Sequence, residues 1–392
     1  MAILLVIVWH YAVEPALDTS PDASLSRALS AFSWAWAGVD LFFVLSGFLI
    51  GRVLFEGFGK PGFLLGFYAG RAARLMPAYL AVVAFYFAAR PFLADPSSAS
   101  AMWLFAGNGT LADAVPVWAY LIHVQNIYQA VGSVTGGHGL AMTWSLAVEE
   151  QFYLILPILI ALTPRSQMVR TIVILICVAL AFRTALLSSG ASLYAPYILL
   201  PGRWDALLAG VLVAYLWQDP AFRQQCHVAR RFLATTLMLS IGGLLVCGFA
   251  FDLSWSQSWM LTLGFSITAA ISVNALLVAL VADGVIKRLF TTRWLCRLGV
   301  ISYGIYLVHQ MVLGLMRHFI VGRVPHMETF ADAAIAVTAF AVTVAIATLS
   351  WRWFEQPIIK AVKARRDTKM QHVRSAITPD IRTHRKDAVL SR

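Results

Sequence analysis

Apolar runs of membrane length recur along this chain, and they limit its possible folds more than any other feature. A helix that crosses a bilayer needs about 20 mostly apolar residues. Ten stretches approach or meet that requirement: 1–13, 36–55, 75–93, 146–162, 169–187, 203–217, 232–251, 258–282, 299–317 and 331–350. The first is too short to span alone, and the sixth is short and begins with charges. Composition agrees, with 60% hydrophobic and 12% charged residues, where a soluble domain carries about 25% charged. The expected fold class is all-α: a polytopic membrane protein of about ten transmembrane helices over residues 1–357. Only a short basic tail, 358–392, follows, and its composition predicts disorder in the cytoplasm.

Orientation follows from the lysines and arginines of the loops. With the N-terminus in the cytoplasm, 24 of the 30 Lys and Arg residues fall on inner loops and the tail, and 6 on the outer side. Ten spans with both ends inside satisfy this bias. From Arg352 onward there are 11 basic and 4 acidic residues, so the net charge of +11 reflects a juxtamembrane tail near anionic lipid and not a nucleic-acid surface. The partner implied is the lipid bilayer. Cys177, Cys226, Cys247 and Cys296 are scattered and form no CxxC, so neither a disulfide framework nor a metal site is indicated. The N-terminus lacks the basic n-region and cleavage site of a signal peptide. The longest outer loop, from about Pro91 to Thr143, is polar and glycine-rich, ending in Gly136-Gly137-His138-Gly139. It reads as a mobile lid or a surface that admits a substrate. Within it, 118–128 is apolar but too short to span, as in a re-entrant piece.

Against this background the charges inside the spans stand out. A carboxylate at the bilayer centre costs roughly 2.5–3.5 kcal/mol on insertion scales, yet Glu149 and Glu150 stand side by side at the head of an apolar run. His10 lies on the first span, Asp40 opens the second, Arg203 and Asp205 open the sixth, and His309 lies in the ninth. By the topology above, all sit near the midplane or in the outer half. A histidine and carboxylates at similar depth can make a general base and its orienting partner. The structural alternatives are plain. A lone histidine on an apolar helix is usually an interhelical hydrogen bond, which suits His309. Asp40 and Asp205 can be ion-pair or capping residues, with Arg203 two positions from Asp205. Glu149 lies four residues after Ser145 and shares its helical face, whereas Glu150 points roughly 100° away. Arg71 and Arg74 stand where a cytoplasmic loop enters the third span. A spacing of three puts both guanidinium groups on one helical face, as a phosphate clamp would. The positive-inside bias alone also explains them.

Taken together, these motifs resemble one family, the acyltransferase-3 membrane O-acyltransferases of bacteria, over nearly the whole chain. His10 follows Ala-Ile-Leu-Leu-Val-Ile-Val. Gly38-Val39-Asp40-Leu41-Phe42-Phe43-Val44-Leu45-Ser46-Gly47-Phe48 is close to the most recognisable signature. Arg71 and Arg74 match paired arginines, and Trp144-Ser145-Leu146-Ala147-Val148-Glu149-Glu150 matches a Ser-x-x-x-Glu block. Arg203-Trp204-Asp205, Ser302-Tyr303 through His309, and Phe354-Glu355-Gln356-Pro357 are similar to later landmarks. The resemblance implies ten spanning helices forming an acyltransferase domain over 1–357. It implies a cytoplasmic acyl-CoA donor, acetyl-CoA above all, and an acceptor hydroxyl on an exported glycan or lipid-linked sugar. Arg71 and Arg74 would hold the donor's phosphates, and His10 would be essential for transfer. The chain departs from the pattern once. The family's arginine eleven residues before the histidine would fall before Met1, which suggests a start internal to the natural reading frame or a reduced donor site.

If the first helix begins at the cytoplasmic surface, His10 lies roughly 15 Å in, near the middle of a hydrocarbon core about 30 Å thick. A phosphopantetheine arm anchored at Arg71 and Arg74 reaches that depth. The expected mechanism is direct transfer, with His10, oriented by Glu149 or Asp40, taking the proton of the acceptor hydroxyl. Ser145 is a candidate relay. On this reading Glu149 and Glu150 mark the outer mouth of the site, across the membrane from Arg71 and Arg74. A proton-coupled saccharide transporter or flippase is the alternative, in which buried His, Asp and Glu relay protons. A membrane sensor without turnover is a third possibility.

Overall fold

A computed structural model of the chain describes residues 1–17, 24–251 and 253–365. Every regular element in it is helical. Among the described residues, nine helices are long and apolar enough to cross a membrane, and a shorter apolar helix precedes them. In chain order they are α1 (Ala2–Leu17), α2 (Ala35–Gly57), α3 (Phe63–Leu93), α4 (His138–Leu162), α5 (Arg165–Ser188), α6 (Tyr194–Leu216), α7 (Arg230–Ala250), α8 (Met260–Val281), α9 (Ser302–Val321) and α10 (Phe330–Arg365). The all-α polytopic expectation holds, with α1 as the short member anticipated from the sequence. α10 continues helical through Arg365, so the first residues assigned to the tail extend the last helix. The remainder of that tail lies outside the described residues.

α2 and α6 form the tightest crossing of the bundle. A Cβ on Gly47 would stand 1.9 Å from the Leu207 carbonyl oxygen, and one on Gly210 2.1 Å from that of Val44. Small residues at such a crossing let backbones meet where lipid supplies no hydrophobic drive. The crossing carries a buried ion pair, Arg203 with Asp40, and Thr268 Oγ1 donates to the second Asp40 oxygen at 2.6 Å. The Arg203 guanidinium also lies 4.0 Å over the Phe265 ring. Two residues along α6, Asp205 accepts from Arg183 at 2.9 Å and from Ser266 at 3.0 Å. Arg317 pairs with Asp332 between α9 and α10. Each of these three buried arginines thus meets a carboxylate, the condition under which such charges are tolerated there.

The segment between α3 and α4 is not an open lid. It folds into short helices at Ala99–Phe105, Val117–Leu121 and Gln125–Gly132. Its polar residues are spent on anchoring: Gln125 donates to Thr143 O at 2.9 Å, Asn126 to Ile198 O at 3.1 Å, and Gln151 reaches back to His123 O at 2.8 Å. His123 stacks on Tyr79 with ring centroids 4.6 Å apart, and burial lowers its imidazole pKa below the ordinary value.

Candidate functional site

α1 widens into a π-type turn at Trp9–Val13, a distortion frequent at functional positions. His10 sits in it. Its Nδ1 lies 2.6 Å from Glu14 Oε2, one turn on. A nitrogen that close to a carboxylate oxygen carries the proton and donates it, so Nε2 keeps its lone pair. The Gln310 amide lies 2.8 Å from the same Nδ1. The His10 and Glu14 side chains are 17% and 31% exposed, so the pair is not sealed inside the protein. Beside them, His138 is an electrostatic neighbour of both. Its ring lies flat against Trp103, 4.4 Å away and inclined by 3°.

His309 faces His10 from α9, with ring centroids 5.2 Å apart. It is fully buried. Its Nδ1 donates to Tyr306 O at 2.7 Å, and Tyr11 OH donates to its own carbonyl at 2.7 Å. One turn along α9, Tyr306 OH donates to Met142 O at 2.9 Å and meets Ser145 Oγ at 2.6 Å. The interruption of α4 at Met142 and Thr143 frees these carbonyls for side-chain donors.

A second polar cluster surrounds Arg71. Its guanidinium stacks 4.2 Å over the Tyr153 ring, and Tyr153 OH meets Ser46 Oγ at 2.5 Å. Glu149 has Arg71, the Ser46 and Tyr153 hydroxyls and Arg74 as its electrostatic neighbours. Glu150 has Arg71 and Glu149. Arg74 is exposed and makes no ion pair within 4 Å among the described residues. Tyr306 links the two clusters, since Glu149 is its electrostatic neighbour as well. A band of polar side chains therefore runs from Arg74 through Arg71, Glu149, Ser145 and Tyr306 to His309, His10 and Glu14.

The structure brings the expected residues into this band in pairings that differ from the expected ones. The carboxylate on His10 is Glu14, not Glu149 or Asp40. Asp40 is taken by Arg203 and Thr268 and serves the α2–α6 crossing, the structural alternative for that residue. Its expected neighbour Arg203 does not pair with Asp205, because Arg183 occupies that carboxylate. Ser145 shares a helical face with Glu149, yet its hydroxyl is held by Tyr306 and Met142 O. Glu149 and Glu150 do not face Arg71 across the membrane. α3 begins at Phe63, twelve residues before the apolar run, so Arg71 is roughly 12 Å inside the helix. Glu149 is eleven residues into α4, roughly 16 Å from the opposite end, and the two meet at mid-depth. Sequence reasoning missed Glu14, Gln310, Tyr306 and His138. Glu14 had a signal, the i,i+4 spacing from His10, but it lies just beyond the apolar run that ended the first span. Gln310 and Tyr306 become visible only once α9 is placed beside α1 and α4.

A family profile described as an acyltransferase domain matches residues 1–352. O-acetyltransferase OatA of Staphylococcus aureus (strain NCTC 8325) is 24% identical over 343 residues, covering 84% of this chain and 53% of OatA. A second S. aureus protein (strain COL), provisionally named O-acetyltransferase SACOL0978, is 25% identical over 358 residues, covering 87% of this chain and 56% of that protein. The chain spans about half the length of these curated relatives. No solved structure matches it significantly. With a match over nine-tenths of its length, the chain belongs to the acyltransferase-3 family.

Proposed function

We propose that this chain is a membrane O-acyltransferase, an O-acetyltransferase above all. It takes the acyl group from cytoplasmic acyl-CoA and passes it to a hydroxyl of a saccharide or lipid-linked glycan that approaches from the opposite face of a bacterial inner membrane. The observation that carries this reading is the His10–Glu14 pair. Glu14 fixes the tautomer and orientation of the imidazole, which leaves Nε2 as a base of the kind that accepts a hydroxyl proton during acyl transfer. The hydroxyl oxygen attacks the thioester carbonyl, the C–S bond breaks, and the proton held at His10 Nε2 passes to the leaving thiolate. The names of the two staphylococcal relatives support O-acetyl transfer.

The donor end fits acyl-CoA through its charge. Among the described residues, Arg74 is exposed and in no ion pair, and the Nε of Arg71 is buried without a hydrogen-bond partner. The two arginines are not equivalent, because the acids beside Arg71 already claim much of its charge. Arg74 is therefore assigned the phosphates, and Arg71 the inner end of that subsite. Ser145 is assigned to orienting Tyr306 and not to an acyl relay, and Asp40 to holding α2.

The test is acetyl transfer from radiolabelled acetyl-CoA to glycan in membranes with matched amounts of folded protein. His10→Gln is expected to abolish transfer, whereas wild-type rates in that variant would refute the proposal. Solute flux in proteoliposomes without acyl-CoA would instead favour the transporter reading.

A further inference from the structure

His309 is the buried group that this mechanism leaves unused. Its Nδ1–H is committed to Tyr306 O, which leaves Nε2 as a lone-pair acceptor. That atom is fully buried and has no hydrogen-bond partner among the described residues. The same holds for one end of the Gln310 amide, whose other end meets His10. Other buried side chains share this condition, Gln125 among them, but only these two stand beside the catalytic histidine. A buried acceptor that nothing satisfies is costly, so such a group next to a reaction centre is matched to something that arrives with the substrate.

Position says which substrate. The partly exposed side of His10 is the one bearing Glu14. His309 lies on the closed side, one turn from Tyr306 and in line with Glu149 and Arg71. An acyl-CoA arm entering past Arg74 and Arg71 meets Tyr306, then His309, then His10. Close to its thioester that arm carries a neutral amide N–H, the complement of a neutral acceptor nitrogen in a low-dielectric site. The ring is held for this task, since Tyr306 O fixes its tautomer and Tyr11, itself paired with Thr343 at 2.9 Å, fixes its backbone.

Resting on the acyl-CoA reading above, we propose that His309 Nε2 accepts a hydrogen bond from the pantetheine amide nearest the thioester, and so sets the register of the acyl carbon against His10. His309 is in this sense a donor-binding residue that positions the thioester and takes no proton in the reaction.

The experiment uses the full chain in nanodiscs and two donors, acetyl-CoA and an analogue in which that amide N–H is replaced by an ester oxygen. The unaltered protein is expected to lose about five- to tenfold in kcat/KM with the ester donor, the effect of one hydrogen bond. His309→Leu should use the two donors equally well. His309→Gln, which offers an amide oxygen near the Nε2 position, should restore part of the discrimination and guards against a folding defect in the leucine variant. If the unaltered protein uses both donors equally, or if His309→Leu discriminates as strongly as the unaltered protein, the inference is overturned and the proposed function stands. If the unaltered protein does not use acetyl-CoA at all, both fall.

Discussion

At the scale of the residue, the molecule turns on which carboxylate meets which base. In the proposed mechanism Glu14 would do for His10 what a buried aspartate does for the histidine of a hydrolytic triad: select a tautomer and stabilise the cation formed during transfer. Glu14→Gln keeps the shape and removes the charge. It is expected to lower kcat by about 10²-fold or more while leaving the KM for acyl-CoA close to wild type, and steady-state kinetics on purified protein would show this. A drop confined to KM would mean that Glu14 binds acceptor and does not orient the base. Arg74→Ala should raise the KM for acyl-CoA several-fold at unchanged kcat. Arg71→Ala should also lower protein yield, because it leaves Glu149 and Glu150 without their nearest cation. At this scale the sequence offered His10, Arg71, Arg74 and Glu149 as candidate site residues, and the structure places them in one polar band. The sequence could not name their partners, since contacts such as that of Gln310 with His10 join residues 300 positions apart. Glu14 was within reach at four residues' distance, but hydropathy ends the first apolar run just before it, and a reader of spans stops there.

At the scale of the element, the α2–α6 crossing decides where Asp40 and Arg203 lie, and it depends on two glycines. Gly210→Val puts methyl groups where the Val44 carbonyl stands 2.1 Å from an added Cβ. Overpacking of this kind costs about 1–3 kcal/mol or more, so the thermal midpoint in detergent should fall clearly. Gly242→Ala, where an added Cβ meets nothing within 4 Å, should leave it unchanged. Equal midpoints for the two variants would show that the crossing is looser than described. The helices themselves were legible because hydropathy reports burial in lipid. Their ends were less so: α3 starts at Phe63 because Phe63–Met76 contains no helix-breaking proline, and amphipathic residues at a membrane surface do not register as apolar. The outer segment misled for a related reason. Its glycines and polar residues look like a loose loop, whereas Gln125 and Asn126 are buried and spend their amides on backbone carbonyls of the bundle.

At the scale of the whole molecule, the polar band runs between Arg74 and Glu14 through a bundle of apolar helices. If donor and acceptor enter from opposite ends, the chain moves an acyl group across the membrane without moving either carrier. Proteoliposomes with acetyl-CoA sealed on the Arg74 side and acceptor glycan on the Glu14 side should transfer, whereas both substrates on one side should not. Transfer that requires both on the same side would overturn this arrangement. The expectation of two-sided access came from the family resemblance, and the charge bias only oriented the helices. The sequence misplaced Glu149 and Glu150 because the start of an apolar run was taken as the start of the helix.

The buried ion pairs also bear on how the protein is made. Arg317 and Asp332 are 15 residues apart, and Arg183 and Asp205 are 22, so each can neutralise the other as soon as its own helical hairpin leaves the translocon. Asp40 waits for Arg203, 163 residues later. At roughly 5–20 residues per second, its carboxylate is in or beside the bilayer for on the order of ten seconds before its cation is synthesised. The second helix must therefore be sheltered during biogenesis, by protonation, by the insertion machinery or at the water interface. A nascent chain that stalls before the sixth helix would be a ready substrate for membrane quality control.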